Sequence, residues 1–396
     1  MIARILLPAI AVLSTFVSNA QKGAPPPEIV NINHTTNYPQ HVDFTPSMIN
    51  QLKVPNGWKV TVAASGLGKP RMLANGQQGE LYITRRDAGD VLLLKDTDGD
   101  HRFDELQTII SEFKGVHGIA LHNGWMYLCS NRDLKRYPLK PDGTVGAEQW
   151  LLNDLPDGGQ HGNRTMAFGP DGKLYLSVGS TCNDCMETNK ENATMLQIDT
   201  SSWKRVVWAR GLRNTIGFDW SPVTQTMFGV DNGGDAKGDN WPPEELNEIK
   251  QDKDYGWPLV YAKQEADETR EDPPGTTKQA YAKTTEPSIL EFPAHSAPIA
   301  FQFFGNSAMV PDSLKDDGLV CWHGSWNKKN PDGFKVQRII FENGKAVRAV
   351  DFLSGFYDRN KRTRFGRPAG LTIAADGAVF ISDDANGIIY CVEQKK

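Results

Sequence analysis

The chain has 396 residues and a formal net charge of −5, with 43 Lys plus Arg against 48 Asp plus Glu. This acidic balance and a pI near 5.9 give no reason to expect a nucleic-acid partner. The 37 Gly, 24 Pro and 10 Trp are typical of a turn-rich β protein, and no long amphipathic helical pattern dominates the sequence.

The chain begins with a predicted export signal. Residues 1–4 carry one basic side chain, Arg4, residues 5–17 are largely apolar, and residues 18–20 end in the small side chain of a cleavage site. The apolar run is short for a bilayer span, so we expect removal of residues 1–20, no membrane span, and a periplasmic or secreted protein. An uncleaved membrane anchor is the alternative.

Two stretches outside the repeated part of the chain have a predicted structure. Residues 21–50 include three consecutive Pro and few periodic features, which predicts an extended arm on the surface. Residues 58–64 and 388–393 are strand patterns near opposite ends of the chain. We expect these two strands to pair in one sheet.

Six copies of one pattern fill the rest. Each has a polar start, a short apolar strand, a turn rich in Gly, Asn or Asp, and a second apolar strand. One position in each second strand marks a period of roughly 45 to 60 residues with one wider gap, close to that of a propeller blade. These positions are Tyr82, Tyr127, Tyr175, Phe228, Val320 and Phe380. The repeat predicts an all-β, six-bladed β-propeller over residues 51–396.

The polar starts of the six first strands are unusually rich in basic side chains. In a propeller these strands line the channel and run in the same direction, so their starts gather at one mouth. The start positions are Arg71, His117, His161, Arg213 with Asn214, His295 and Arg367. Such a ring predicts a site for a flat or multiply anionic ligand. Alternatively, these residues only satisfy backbone groups at strand starts.

An acidic stretch at residues 96–105 has two interpretations. Its alternating carboxylates resemble a calcium loop. However, Gly99 comes two positions earlier than in an EF-hand, and position twelve is Gln107. A hairpin turn between outer strands is the other interpretation.

The five cysteines allow one short disulfide. In an exported protein, Cys182 and Cys185 are expected to form a local bridge, although free thiols and redox chemistry stay open. A structural zinc site would need a second cysteine pair at similar spacing, and the sequence has none. Cys321 and Cys391 fall in strand patterns and are predicted to be buried.

A polar segment at residues 235–300 forms the widest gap in the repeat. It is rich in Pro, Glu, Asp and Lys. We expect blade strands plus a long loop over the channel mouth, where long insertions often carry recognition.

Five motifs in order then resemble a known family. They are His161-Gly-Asn-Arg164, Arg213-Asn214 before Gly-Phe-Asp-Trp220, Asp231-Asn-Gly-Gly-Asp235, His323-Gly-Ser-Trp326-Asn327, and Gly366-Arg-Pro-Ala-Gly370 with Ser382-Asp-Asp384. The pattern, from about residue 55 to 393, is similar to the glucose/sorbosone dehydrogenases, the soluble quinoprotein sugar dehydrogenases, and is nearest to the sorbosone- and pyranose-dehydrogenase-like branch.

The resemblance implies a propeller that binds pyrroloquinoline quinone (PQQ) and Ca²⁺ and oxidises a sugar at C1. PQQ carries three carboxylates, which the forked guanidinium of Arg binds well. Arg213 and Arg367, with Asn214, are the best candidates for holding it, followed by Arg71 and Arg164.

His161 matches the catalytic His of the family. An imidazole is suited to take the hydroxyl proton as a hydride leaves the sugar carbon. The soluble glucose dehydrogenase branch has an Asp immediately before this His, whereas this chain has Gln160. Either another acid tunes the base or the base is tuned differently.

The resemblance places the calcium in the loop Asp231, Asn232, Gly233, Gly234 and Asp235, held largely by backbone carbonyls. The two glycines allow carbonyls to turn inward. Asp239 and Glu245 add possible charge, and a tight acidic turn is the alternative.

His323 and Trp326 follow the fifth hairpin. Trp326 is expected either to stack on the sugar or cofactor or to pack in the core. His117 and His295 are candidates for the substrate side or for structural hydrogen bonding.

The predicted function is therefore PQQ- and Ca²⁺-dependent oxidation of an aldose, pyranose or sorbosone-like aldehyde, with electrons passed to an unidentified acceptor such as a cytochrome or a quinone. A calcium-dependent lactonase is the chief alternative, and it would need a carboxylate-lined channel. A non-catalytic propeller that binds glycans or protein is the other. A cationic mouth favours the quinone enzyme.

Overall fold

A computed structural model describes residues 36–305 and 310–395. The predicted signal at residues 1–20 and the first part of the predicted arm lie outside the described residues. Within those two ranges, no helix combines the length and the apolar character needed to cross a bilayer.

Six antiparallel sheets of four or five strands make up most of the described chain. We number them by the order of their first strands. Sheet 1 contains Leu73–Asn75, Leu81–Arg85, Asp90–Lys95 and Glu105–Ile110. Sheet 2 contains Gly118–His122, Trp125–Cys129, Leu134–Pro138 and Gln149–Leu152. Sheet 3 contains Met166–Phe168, Leu174–Val178, Thr194–Ile198 and Arg205–Arg210, with Lys253–Asp254 as a fifth, parallel strand.

The second half of the chain repeats this arrangement. Sheet 4 contains Thr215–Trp220, Met227–Asp231, Glu244–Ile249 and Leu290–Phe292. Sheet 5 contains Pro298–Phe303, Gly318–Trp322, Lys335–Glu342 and Lys345–Leu353. Sheet 6 contains Pro368–Ile373, Val379–Asp383, Ile388–Gln394 and Trp58–Ala64. The predicted all-β class is confirmed.

The last strand of sheet 6 comes from the other end of the described chain. Trp58–Ala64 pairs antiparallel with Ile388–Gln394, from Trp58 opposite Gln394 to Ala64 opposite Ile389. The predicted pairing of these strands is therefore confirmed. It joins two segments more than 300 residues apart in one sheet.

The second strand of each sheet is buried on both faces. Sheet 1 illustrates this, since Leu81 and Ile83 are inaccessible in a cluster shared with sheet 6, whereas Tyr82 between them faces the other way and is 2% exposed in a second cluster. A strand covered on both faces needs no polar alternation, which explains the continuous apolar runs in the sequence. All six landmark positions lie in these second strands.

The first strands of the six sheets line one common cavity of about 460 Å³. Each first strand contacts a strand of the neighbouring sheet, including the pair formed by sheets 6 and 1. The six first strands thus surround one common channel cavity.

The wide gap in the repeat contains short elements between the third and fourth strands of sheet 4. A two-stranded hairpin joins Val260–Tyr261 and Glu265–Ala266, and a short helix spans Lys278–Ala282. Thr277 caps this helix by accepting a hydrogen bond from the backbone N–H of Ala280.

The described part of the arm forms one strand of a small three-stranded sheet. Gln40–His41 pairs in parallel with Thr363–Arg364, which also pairs with Tyr357–Asp358. A 3₁₀-helix at Pro46–Gln51 follows, and a second one spans Asp312–Leu314.

Candidate active site

The six predicted start positions all lie just before the first strands. Arg71, His117, Arg213 and Arg367 precede their strands by one or two residues, whereas His161 lies five residues ahead. In each antiparallel sheet, the loop between the second and third strands emerges at this same end. The mouth of the channel is therefore built from two sets of residues, the strand starts and these second loops.

His161 is held with one ring nitrogen available. Its Nδ1 lies 2.9 Å from the Ser180 carbonyl oxygen and 2.8 Å from Ser180 Oγ. The Ser180 hydroxyl donates to the carbonyl of Cys182, so both Ser180 oxygens act as acceptors and Nδ1 carries the proton. In the neutral imidazole, Nε2 then has the free lone pair.

The environment keeps His161 neutral. Burial lowers the pKa of His161 to about 3, and the positive charge of Arg213 adds to the shift. The Ser180 carbonyl accepts the hydrogen bond from His161 Nδ1, in the position where the sequence suggested an acidic side chain. A base tuned in this way is unprotonated throughout the neutral range.

Gly179 allows His161 and Asn214 to approach each other. A Cβ atom at position 179 would lie 2.6 Å from the Cβ of His161 and 2.8 Å from Oδ1 of Asn214. Both distances are too short for a real side chain, so only glycine fits between them.

The loop closed by the Cys182–Cys185 disulfide organises one side of the mouth. Asn183 Oδ1 accepts from Arg213 Nη2 at 2.8 Å and from the backbone N–H of Asp235 at 2.7 Å. Its Nδ2 donates to the Asp235 carbonyl at 2.8 Å, and its own carbonyl accepts from Arg213 Nε. The predicted disulfide is present, and its loop holds both Arg213 and Asp235 in place.

Buried charges support this loop from behind. Lys237 is 2.8 Å from Asp184 and also bonds to Asp267 and Tyr261, all of which are buried. Asp267 belongs to the segment between the strands of sheet 4. This segment therefore packs behind the mouth against the disulfide loop.

The loop predicted to hold calcium lies beside Arg213, and its acids differ in environment. The Asp231 carboxylate accepts three hydrogen bonds, from the backbone N–H groups of Arg213 and Asn214 and from Thr215 Oγ1. Burial raises the pKa of Asp231 to about 6. Asp231 is thus occupied in holding the start of a strand.

Asp235 faces a different set of groups. Its Oδ1 accepts from Asn327 Nδ2 at 2.6 Å and lies 3.6 Å from His295 Nδ1, and its Oδ2 is 3.7 Å from Arg213 Nη2. Burial opposes ionisation of Asp235, but His295 and Arg213 outweigh it and lower the pKa. Asp235 is therefore ionised at neutral pH, and its pKa lies below that of Asp231.

The other residues of this loop are tied to their neighbours. Gly233 donates its N–H to Glu244 Oε2 at 2.7 Å, and Asn232 donates its side-chain amide to the carbonyls of Asn214 and Pro298. A Cβ on the buried Gly234 would lie 3.7 Å from Cε of Lys237, which is an ordinary van der Waals distance.

A second charged group occupies the opposite side of the mouth. Asp384 accepts from Arg71 Nη1 at 2.6 Å and from His323 Nε2 at 2.9 Å. Burial opposes ionisation of Asp384, yet His323 and Arg71 hold its pKa far below the usual range. Arg367 donates to the carbonyls of His323 and Gly324. These contacts fix the orientation of both arginines.

A cleft of about 280 Å³ borders Arg71, Arg367 and Asp384. Its lining contains five basic and two acidic side chains, so it is cationic. The lining residues are Lys69, Arg71, Arg86, Asp87, Asn163, Arg364, Arg367, Asp384 and Ala385. The sequence predicted Arg71 and Arg367 here but missed Arg86 and Arg364. Counting the second loops as part of the mouth would have found Arg86.

Of the predicted site residues, only Arg71 and Arg367 line this cleft, and the others, including Arg213 and Asn214, lie outside it. Arg164 is 0% exposed and donates to the carbonyls of His161 and Pro156, so it holds the His161 loop from below. Burial lowers the pKa of His117 to about 3, and its Nδ1 contacts the Arg164 carbonyl. Trp326 stacks on Tyr38 of the arm at 6.0 Å between ring centres.

The comparisons with known proteins agree with this architecture. The chain belongs to the TrAA12-like family, whose model matches residues 52–395. The family relationship predicted from the five motifs is thus confirmed.

Relatives and solved structures cover most of the chain. An uncharacterized protein of Borreliella burgdorferi is 29% identical over 366 residues, covering 87% of this chain and 91% of that protein. The pyrroloquinoline quinone-dependent pyranose dehydrogenase of Coprinopsis cinerea is 23% identical over 417 residues, covering 87% of this chain but 55% of that protein.

The structures of two fungal proteins share the fold. An iodide structure of the Trichoderma reesei Carbohydrate-Active Enzymes Family AA12 protein has a TM-score of 0.77 at 21% identity and covers 92% of this chain and 100% of that one. The holo PQQ domain of the Coprinopsis cinerea pyranose dehydrogenase has a TM-score of 0.73 at 20% identity and covers 87% and 97%.

Proposed function

We propose that the chain is a PQQ- and Ca²⁺-dependent dehydrogenase that oxidises a sugar at C1, and that its six sheets are the blades of a closed propeller. Two observations carry this: a cationic cleft lined in part by Asn163, two residues after His161, and a neutral His161 whose Nε2 is available. The pyranose dehydrogenase among the relatives supports the same chemistry.

The cleft fits a tricarboxylate. Arg71, Arg86, Arg364 and Arg367 surround it, and planar guanidinium groups bind carboxylates through two parallel hydrogen bonds. The buried Asn163 Oδ1 has no hydrogen-bond partner in the described part of the chain, and Asn163 lines the same cleft. Such an orphaned acceptor is suited to a ligand donor.

Calcium would be held by the ionised Asp235 together with the backbone carbonyls of Gly233 and Gly234, since oxygen atoms are the ligands that Ca²⁺ takes. The Asn232 carbonyl is left out because it already accepts from Arg213 Nη1 at 3.1 Å. Asp231 is left out of this set because its carboxylate already accepts three donors. When bound, PQQ supplies a quinone that accepts hydride, and Ca²⁺ makes it a better acceptor.

The protein groups handle the proton and the orientation. His161 Nε2 accepts the proton of the C1 hydroxyl as the C1 hydride leaves, and the product is the lactone when the substrate is an aldose. Ser180 holds the imidazole in the required tautomer. Asn183 and Asp384 fix the cations on the two sides of the mouth.

The lactonase alternative loses support from the channel lining. It would need several carboxylates facing the metal, yet Asp219 is the single acid among the described residues that line the channel cavity. Asp219 accepts from the backbone N–H groups of Phe303 and Trp220.

The test is reconstitution of the purified chain with PQQ and Ca²⁺, followed by dye reduction with aldoses, ketoses and sorbosone. His161→Ala is expected to lose about 10²–10⁴-fold in kcat while still binding PQQ. His122→Ala is the matched control, because His122 stacks on Phe168 away from the mouth. An active His161→Ala variant would contradict the assigned base.

A further inference from the structure

A second group of possible metal ligands lies at the end of the sheets opposite the mouth. Cys391 and Glu393 are two positions apart on Ile388–Gln394, the closing strand of sheet 6, so both side chains point to the same face. His101 reaches them from the loop between the third and fourth strands of sheet 1. One ligand atom from each of these residues lies within 4.8 Å of the other two.

The histidine is oriented as metal-binding histidines usually are. His101 Nε2 lies 2.7 Å from Asp376 Oδ2, and Nδ1 faces Glu393 Oε2 at 3.0 Å. A carboxylate that accepts the outer N–H of an imidazole turns its other nitrogen toward a metal. If Nε2 carries the proton, the Nδ1 lone pair faces a carboxylate oxygen, and this contact requires a proton or a cation between them.

The Cys391 sulfur distinguishes a proton from a metal ion as the occupant of this contact. A proton shared by His101 and Glu393 gives Cys391 no part, whereas a metal ion would bond to its thiolate. Cys391 is inaccessible to solvent and Glu393 is 8% exposed, so the group is sheltered. Lys59 Nζ holds the other oxygen of Glu393 at 3.1 Å, which leaves a single oxygen for an ion.

The donor set selects the kind of metal. One sulfur, one nitrogen and one oxygen suit Zn²⁺, whereas Ca²⁺ and Mg²⁺ prefer oxygen alone. A cavity of about 330 Å³ borders His101, Asp376 and Glu393 and gives an ion access and room for a water molecule as fourth ligand. We propose that His101, Cys391 and Glu393 bind a Zn²⁺ ion that ties the closing strand of sheet 6 to sheet 1.

Cobalt titration tests this proposal directly. Chelator-treated full-length protein is titrated with Co²⁺, which reports a sulfur ligand through a thiolate-to-cobalt charge-transfer band. We expect one equivalent to produce this band and tetrahedral visible bands, and Zn²⁺ to abolish them because it binds more tightly. Cys391→Ser should lose the charge-transfer band, while Cys129→Ser, a change at another buried free cysteine, should keep it.

A second variant guards against misfolding of the core substitution. His101 has a φ of 66°, a conformation that Asn tolerates, and it lies in a loop. His101→Asn should therefore fold, bind Zn²⁺ at least 100-fold more weakly, and lose the rise in Tm that Zn²⁺ gives the unchanged protein. Absence of the charge-transfer band in the unchanged protein, or its persistence in Cys391→Ser, would overturn the proposal.

Discussion

Replacing Asn183 with Ala should loosen one whole side of the mouth. The substitution removes three side-chain hydrogen bonds, one to the Arg213 guanidinium and two to the backbone of Asp235. A bond to a charged group contributes about 1.5–3 kcal/mol and a neutral one about 1 kcal/mol. The Arg213 contact to the carbonyl of residue 183 survives in Ala. We expect a loss of about 3–5 kcal/mol in the free energy of unfolding.

Denaturant unfolding of the cofactor-free protein measures this loss, and PQQ titration measures its effect on the site. Met186→Ala is the matched control, since Met186 is 50% exposed in the same loop region. Its effect should stay within about 0.5 kcal/mol. If the free energy of unfolding of Asn183→Ala is less than about 1 kcal/mol below that of the unchanged chain, the role given to Asn183 is refuted.

Three further results follow from the same geometry. In the cofactor-free protein, NMR titration should find His161 neutral and protonated on Nδ1 down to about pH 5, because burial holds its pKa near 3; titration near 6.5 would contradict this. Gly179→Ala should cost about 1–3 kcal/mol in unfolding free energy and weaken substrate binding, because the new Cβ overlaps His161 and Asn214; unchanged stability and kinetics would count against the close approach. Reducing the bridge between Cys182 and Cys185 should cost about 2 kcal/mol for so short a loop and lower PQQ affinity, and a Cys182→Ser/Cys185→Ser variant that keeps both properties would disprove this.

The repeat was predictable because its signal is local. Each second strand is buried on both faces and therefore appears as an unbroken apolar run, and a polar residue stands one to five positions before each first strand. The pairing of residues 58–64 with 388–394 was also predictable, since the propeller expected from the repeat needs a strand pair that joins the two ends of the chain.

The tertiary contacts of the mouth were not predictable in this way. Asn183 joins the second loops of sheets 3 and 4, and nothing in its local sequence reports that contact. Arg164 matched a family motif, yet its burial beneath His161 depends on how two sheets pack. Asp231 and Asp235 look alike in sequence, but only their surroundings show that burial raises the pKa of Asp231 while His295 and Arg213 lower the pKa of Asp235.

The most direct test of the central claim is equilibrium binding of PQQ to the purified full chain, with and without Ca²⁺. We expect one PQQ per chain with calcium present, at least tenfold weaker binding after chelation, and weaker binding still in an Arg71→Ala/Arg367→Ala variant. A chain that binds no PQQ in the presence of calcium would contradict the proposed dehydrogenase.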